Sequence, residues 1–264
     1  MNILDTIIAR KKGEVAERKA LVTVRELEKK PLFSMPTVSL KASLADPQRT
    51  GIIAEYKRRS PSKGVINAVS PVESVVTGYD KGGASGISVL TDCDFFGGSL
   101  SDLEKAAVVT RVPLLRKDFM IDEYQLLEAR AYGASVILLI AANLTVAEVR
   151  QLAGTAKALS LEVLLEIHNE AELEHICPEV DLVGVNNRDL KTFSVSLETS
   201  ARLARQIPED KWRISESGIN KPEDIEYLRS HGYQGFLIGE NFMRQNDPGA
   251  AFGEFAVRLK SVGI

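Results

Sequence analysis

Residues 112–119 read Val112-Pro-Leu-Leu-Arg-Lys117-Asp118-Phe119, a short apolar run that ends on charge. Such a run suits a strand buried on both faces, as in a parallel sheet covered by helices. A lysine at the carboxyl end of that strand points to an acid or a nucleophile rather than to solubility. The same layout recurs in Ile52-Ile-Ala-Glu55-Tyr-Lys57, Val163-Leu-Leu-Glu166 and Leu182-Val-Gly-Val-Asn186. Strands that each carry a reactive group at the same end are how a barrel enzyme is built.

From about residue 50 onward, short Ile/Leu/Val runs alternate with longer stretches whose apolar residues recur three and four apart. The runs predict eight strands, near 51–56, 86–90, 112–116, 135–140, 161–166, 181–186, 212–216 and 235–239. Helices are expected between them, for example over Asp122–Tyr132, Thr145–Leu159, Glu170–Ile176, Glu198–Gln206, Lys221–His231 and Gly249–Val262. Thr145 with Glu148 reads as a capping box, and Pro222 sits where a first helical residue belongs. Gly133 and Gly232 follow helices where a left-handed cap is expected. Eight βα repeats with short connections predict a (β/α)8 TIM barrel rather than an open sheet. Residues 1–48 do not fit the repeat. Helices are expected over 2–18 and 23–30, and irregular chain over 31–50 with Pro31, Pro36 and Pro47. An amino-terminal helical extension packed on one barrel domain spanning 1–264 is the simplest organisation.

Composition agrees. The 264 residues are 44% hydrophobic and 26% charged, with a net charge of −3. That is ordinary for a globular protein with a substantial core and leaves no broad basic surface for nucleic acid. No run approaches the roughly 18 apolar residues a membrane span needs, and the amino terminus lacks a signal-peptide core. Cys93 and Cys177 have no Cys or His at metal-ligand spacing, so they read as idle thiols of a reducing, cytoplasmic compartment.

The candidate chemistry lies at the strand ends. Alternation along a strand makes Glu55 and Lys57 point the same way, into the barrel mouth, although a structural ion pair would look the same in sequence. The loop Ser60-Pro-Ser62-Lys-Gly64 offers hydroxyls and backbone N–H groups to an oxyanion. Arg116 alternates with Lys117 and is expected to face outward, and Glu162 belongs to the opposite, stable end. Asn186-Asn187-Arg188-Asp189 supplies amides and a guanidinium. Ser215-Glu216-Ser217-Gly218 and Gly239-Glu240 end the last two strands, where barrel enzymes often bind phosphate and glycine lets the backbone approach an anion. The Glu240 side chain would repel a phosphate, so its backbone N–H is the expected contact. His168, His175 and His231 read as structural, paired with neither a nucleophile nor a metal set.

At these residues the sequence resembles the indole-3-glycerol-phosphate synthase family of tryptophan biosynthesis, over nearly the whole chain. The resemblance rests on Ile53-Ala-Glu-Tyr-Lys-Arg-Arg-Ser-Pro-Ser, Leu90-Thr-Asp with Phe95-Phe-Gly-Gly98, and Leu115-Arg-Lys-Asp-Phe119. It rests equally on Gly184-Val-Asn-Asn-Arg-Asp-Leu190, Ser215-Glu-Ser-Gly-Ile219 and Phe236-Leu-Ile-Gly239. The extension is a family feature, and the chain is expected to be monofunctional. The resemblance implies a carboxy-lyase that converts 1-(2-carboxyphenylamino)-1-deoxyribulose 5-phosphate to indole-3-glycerol phosphate, releasing carbon dioxide and water. It implies Lys117 as the general acid that protonates the sugar ketone. Glu166, Lys57 and Glu55 are the groups available for the dehydration, with Glu166 also placed to stabilise the cationic ring intermediate, and whether Lys57 or Lys117 is the acid in the dehydration stays open. Asn186 and Ser217 hold a hydroxyl. Phosphate falls to Ser60 and the backbones of Gly218, Gly239 and Glu240; the aromatic ring falls to Phe96, Phe119 and Leu138, with Arg188 and Leu190 nearby. Glu240 departs from the serine frequent in relatives, which puts only its side-chain contribution in doubt. No cofactor or metal is implied, because the arene itself accepts the electrons. The implied partner is a phosphorylated small molecule, with no nucleic acid, membrane or obligate protein partner.

Three rivals share the pattern: a Schiff-base aldolase using Lys117 as nucleophile, the isomerase of the preceding step, and a silent barrel that only binds a phosphorylated metabolite. The isomerase would need a Cys/Asp pair that neither cysteine supplies at the first strand. Simple binding would not call for two lysines and two carboxylates together.

Overall fold

The computed structural model describes residues 3–190 and 192–261. The barrel strands are β1 (Ile52–Tyr56), β2 (Gly86–Leu90), β3 (Leu114–Lys117), β4 (Val136–Ile140), β5 (Glu162–Ile167), β6 (Leu182–Asn186), β7 (Trp212–Glu216) and β8 (Gly235–Ile238). Each pairs in parallel with its neighbour, and β8 returns to β1 through Ile52↔Phe236 and Ala54↔Ile238, which closes the barrel. Strand β3 starts later than expected, at Leu114, because Pro113 has no N–H to give to the ladder.

The helices are α1 (Ile3–Leu21), α2 (Val24–Glu28), α3 (Leu40–Ala45), α4 (Val72–Lys81), α5 (Leu100–Val109), α6 (Glu123–Ala131), α7 (Val146–Ala158), α8 (Glu198–Leu203), α9 (Pro222–Ser230), α10 (Glu240–Met243) and α11 (Pro248–Ser261). The capping box at Thr145 forms, with Thr145 N–H donating to Glu148 Oε2 at 2.7 Å and Glu148 N–H donating to Thr145 Oγ1 at 3.2 Å. Gly133 and Gly232 adopt φ of 89° and 88°, the left-handed caps that the sequence required. Where an amphipathic helix was expected after β5, the chain forms a 3-10 segment, Glu170–His175. Pro178 stands too close behind it for a longer α-helix to develop.

Side chains alternate along each strand. Ile53, Leu115, Leu138, Leu164, Leu182, Ile214 and Leu237 fill the barrel, while Ala54, Leu114, Ile137, Val163, Leu165 and Val183 pack under the helices. Arg116 faces outward as expected, but outward here is the dry layer between strand and helix. It is fully buried and donates to Thr91 Oγ1, Gln125 O, Glu128 and Asp118.

The extension grips both ends of the barrel. Residues 31–50 are not irregular throughout, because α3 forms under an N-cap from Ser39. Leu40 and Leu44 of α3 join the interior cluster of Ile53, Val136 and Leu182 and plug the amino-terminal end. Gly86 leaves room for this plug: a Cβ there would stand 2.7 Å from Leu40 Cδ1. Glu162, at the stable end as expected, accepts from Ser39 Oγ at 2.5 Å and Leu40 N–H at 2.7 Å. A six-residue helix is held by such tertiary contacts rather than by propensity, so periodicity could not announce it.

At the other end, α1 runs along the loops that follow β2 and β3. Lys11 is buried and forms ion pairs with Glu14 at 2.7 Å, Asp118 at 2.8 Å and Asp92 at 2.9 Å. Burial opposes its charge, but Asp118 and Asp92 more than reverse this and hold the ammonium above its ordinary range. Among the described residues no helix is long and apolar enough to cross a membrane.

Candidate active site

The carboxyl ends of the strands surround a cavity of about 560 Å³. Every site residue that the family resemblance implied lines it: Glu55, Lys57, Ser60, Phe96, Lys117, Phe119, Leu138, Glu166, Asn186, Arg188, Leu190, Ser217, Gly218, Gly239 and Glu240. The amide of Asn187 does not, and is hydrogen-bonded to Ser215 Oγ and Ser217 O instead. Ile3, Leu4 and Ile7 of α1 also reach it, so the extension contributes wall as well as packing.

Two lysine–carboxylate units face the cavity. Lys57 Nζ donates to Glu55 Oε1 at 2.6 Å, the pairing that strand alternation predicted. Lys117 Nζ donates to Glu166 Oε2 at 2.6 Å and to Glu216 Oε2 at 3.1 Å. Asn186 Nδ2 donates to Glu166 Oε1 at 3.0 Å, and His168 Nε2 lies 3.2 Å from that same oxygen. The parallel register sets this up: Asn186 pairs with Glu216, and Glu166 with Gly184 two residues earlier, so inward side chains from β5, β6 and β7 stand on successive rows at the strand ends.

The electrostatics follow from packing three carboxylates around Lys117. Burial alone would lower the ammonium's affinity for its proton, yet Glu166, Glu216 and Glu55 together hold it above the ordinary lysine range. Burial raises the Glu166 carboxyl, but Lys117 and then His168 reverse this and keep it well below the usual carboxylate range. Glu216 goes the other way and is pushed up to about 7, first by burial and then by Glu166 and Glu55, against the pull of Lys117. Its Oε1 has no hydrogen-bond partner among the described residues.

Glycines make the room that these groups occupy. A Cβ at Gly184 would fall on Glu216 Oε1, and one at Gly239 would stand 2.6 Å from Glu55 Oε1 and 2.8 Å from its Cβ. Gly239→Ala is therefore expected to push Glu55 and its lysine out of place. A displacement of that kind costs turnover on the order of tenfold or more. Measuring kcat beside the melting temperature checks that the loss comes from the site and not from unfolding.

The remaining nominees line the walls. Phe96 and Phe119 pack as a tilted pair with centroids 6.0 Å apart, and Leu138 continues this apolar side. The lining also includes Ser60, whose hydroxyl lies 3.4 Å from Ser62 Oγ, and the turn at Ser217 and Gly218, with φ of 67° and 81°. Glu240 lies 3.8 Å from both Lys63 and Arg188, so its carboxylate turns toward cations rather than standing alone.

Two participants escaped the sequence reading. Glu216 was quoted only as part of a phosphate turn, although it shares parity with inward-facing Ile214, the signal that could have placed it in the barrel. His168, read as structural and paired with neither a nucleophile nor a metal set, contacts Glu166; its spacing two residues beyond that side chain is the available sign. His175 and His231 are structural as expected, bound to the carbonyls of Leu144 and Tyr227.

A closed (β/α)8 barrel whose strand ends carry paired lysines and glutamates around a half-apolar cavity defines a barrel enzyme built for acid–base chemistry on a small molecule. A family model described as indole-3-glycerol phosphate synthase matches residues 4–255. A protein of that name from Bacteroides thetaiotaomicron is 47% identical over 254 residues, covering 96% of this chain and 97% of the relative. The chain belongs to the indole-3-glycerol phosphate synthase family, the carboxy-lyases of tryptophan biosynthesis. Among solved structures, the tryptophan synthase complex of Pyrococcus furiosus matches with a TM-score of 0.61 at 13% identity, covering 82% of this chain and 99% of that one. A variant tryptophan synthase alpha-subunit from the same organism matches with a TM-score of 0.60 at 14% identity, with the same coverage. At that identity the likeness is one of fold.

Proposed function

We propose that this cavity carries out ring closure, decarboxylation and dehydration of 1-(2-carboxyphenylamino)-1-deoxyribulose 5-phosphate, with Lys117 as the first general acid. The observation that carries this reading is the Lys117 ammonium in the cavity wall, held at 2.6 Å by Glu166 and 3.1 Å by Glu216. The ring carbon bearing the carboxylate attacks the sugar ketone. A carbon–carbon bond forms, the carbonyl electron pair moves onto oxygen, and Lys117 supplies the proton. The carbon–carboxylate bond then breaks, carbon dioxide leaves, and its electron pair restores the aromatic ring. Finally the new hydroxyl departs as water on a second acid's proton, while a base takes a proton from the former methylene carbon. Glu166 is that base; Lys57, oriented by Glu55, and Lys117 are both within the cavity to serve as the second acid.

Binding divides along the same walls. Phe96, Phe119 and Leu138 hold the anilino ring, with Arg188 and Leu190 at its side. Ser60 and the backbone of Gly218, Gly239 and Glu240 hold the phosphate. Asn186 and Ser217 hold the hydroxyl that is formed and lost. No cofactor is called for, the enzyme works in the cytoplasm, and it needs no obligate partner. A Schiff-base role for Lys117 is disfavoured, because an imine requires a neutral amine and three carboxylates keep this one charged.

Purified protein mixed with this substrate in a chelating buffer tests the reading. Indole fluorescence should grow without added metal or cofactor, and its absence would overturn the assignment.

A further inference from the structure

His168 sits two residues beyond Glu166, just past the end of β5, yet it is not among the residues that line the cavity. Whatever it contributes to the reaction must therefore pass through Glu166. Its Nε2 lies 3.2 Å from Glu166 Oε1 and its Nδ1 lies 3.2 Å from Glu172 Oε2, so the ring is clamped between two carboxylates. Glu172 is itself fixed. Its Oε2 accepts the His168 backbone N–H at 2.7 Å, and its Oε1 accepts Asn169 Nδ2 at 2.8 Å. The approach of Nε2 to Glu166 is an ion-pair contact without hydrogen-bond geometry, and Nε2 has no hydrogen-bond partner among the described residues. A ring present only to fill space between β5 and the 3-10 segment would need neither carboxylate.

The surroundings of Glu166 give the contact a purpose. Lys117 from β3 faces it, as do Glu216 from β7 and the neutral amide of Asn186 from β6, while Glu55 from β1 acts on both Lys117 and Glu216. When Lys117 gives its proton to the ketone, Glu166 loses its principal cation while two carboxylates remain nearby. Lys57 is already paired with Glu55. We infer that His168, clamped by Glu172, is a positioning residue that aims Glu166 and keeps it ionised while Lys117 is neutral. Burial pulls the imidazole down, but Glu166 and Glu172 push it up to about 10, so it is a cation throughout the neutral range. This inference rests on reading Glu166 as the base.

The test measures kcat and KM from about pH 3 to 9 for H168A, H168Q and E172Q, with E166Q in parallel. Glu166 has a depressed folded value, so its base form is lost as pH falls through that value. Removing the imidazolium raises the value and moves the acid limb of the profile to higher pH, by roughly one unit. H168A should lose between about ten- and a hundredfold in kcat. Its KM should stay within about twofold, because the ring does not meet substrate. H168Q, which keeps a donor but no charge, should recover part of kcat and retain the shifted limb. E172Q keeps the ring in place and should shift the limb in the same direction by less, which covers the case in which H168A does not fold. An unshifted limb in these variants, whatever the loss of rate, would overturn the inference and mark the ring as packing. If E166Q is inactive in that case, only the inference falls; a fully active E166Q would overturn the role of Glu166 itself.

Discussion

Lys117→Ala is expected to lower turnover by about a thousandfold or more, which is ~4 kcal/mol of transition-state stabilisation, with a modest change in substrate binding. The reason is the timing of the charge. The ketone oxygen becomes basic only as the carbon–carbon bond forms, so the proton from Lys117 is worth most in the transition state and little in the ground state. The substitution also removes the cation shared by Glu166 and Glu216, at 2.6 Å and 3.1 Å. Two buried carboxylates without it cannot both stay ionised, and Glu216, already pushed up to about 7, takes up the proton, so Glu166 loses the cation that holds it in place. Single-turnover fluorescence with saturating substrate isolates the step. Unchanged turnover would remove Lys117 from the mechanism.

Lys11→Met should give the largest loss of stability, about 3–5 kcal/mol, or a fall in melting temperature of roughly 10 °C. Methionine matches the stem but leaves Asp92 and Asp118 buried, with Arg116 as the remaining cation beside Asp118. The pH dependence checks the cause. In the parent, Lys11 and Arg116 overcome the cost of burial and depress the Asp118 carboxyl, so its stabilisation is present above the ordinary aspartate value and is lost only as pH falls through the depressed one. In the variant the same carboxyl is raised, and its penalty is relieved by protonation. The gap in melting temperature should therefore narrow as pH drops from about 7 toward 4. A gap that holds constant would point to lost packing of α1 instead. Because Ile3, Leu4 and Ile7 of α1 line the cavity, KM should rise as this helix loosens.

Much of the site was legible because a strand has period two. Once Leu115 is buried in the barrel, Lys117 must share its face, and Glu55 with Lys57 must share that of Ile53. Parity also gives the outward Arg116, but not that four partners wait for it in a dry layer. The same rule reaches Glu216 through Ile214, where the phosphate-turn reading of 215–218 drew attention away from it. Short elements were harder. The helix α3 spans under two turns, too little for a 3.6-residue period to register, and the segment at Glu170–His175 is legible as helical but not as a 3-10 turn.

The sequence by itself determined the repeat of strand and helix, the closed barrel that eight such repeats make, the end at which the chemistry lies and the family. Those properties follow from local patterns of burial and from motifs, which a linear chain displays openly. Only the tertiary structure decided which charges meet. Lys117 reaches Glu166 and Glu216 across 49 and 99 residues of chain, and Lys11 reaches Asp118 from the extension, because barrel register and helix docking fix those distances. His168 is the clearest case. Its spacing from Glu166 was visible, but its function depends on where Glu172 returns to clamp the ring, and that is a matter of packing.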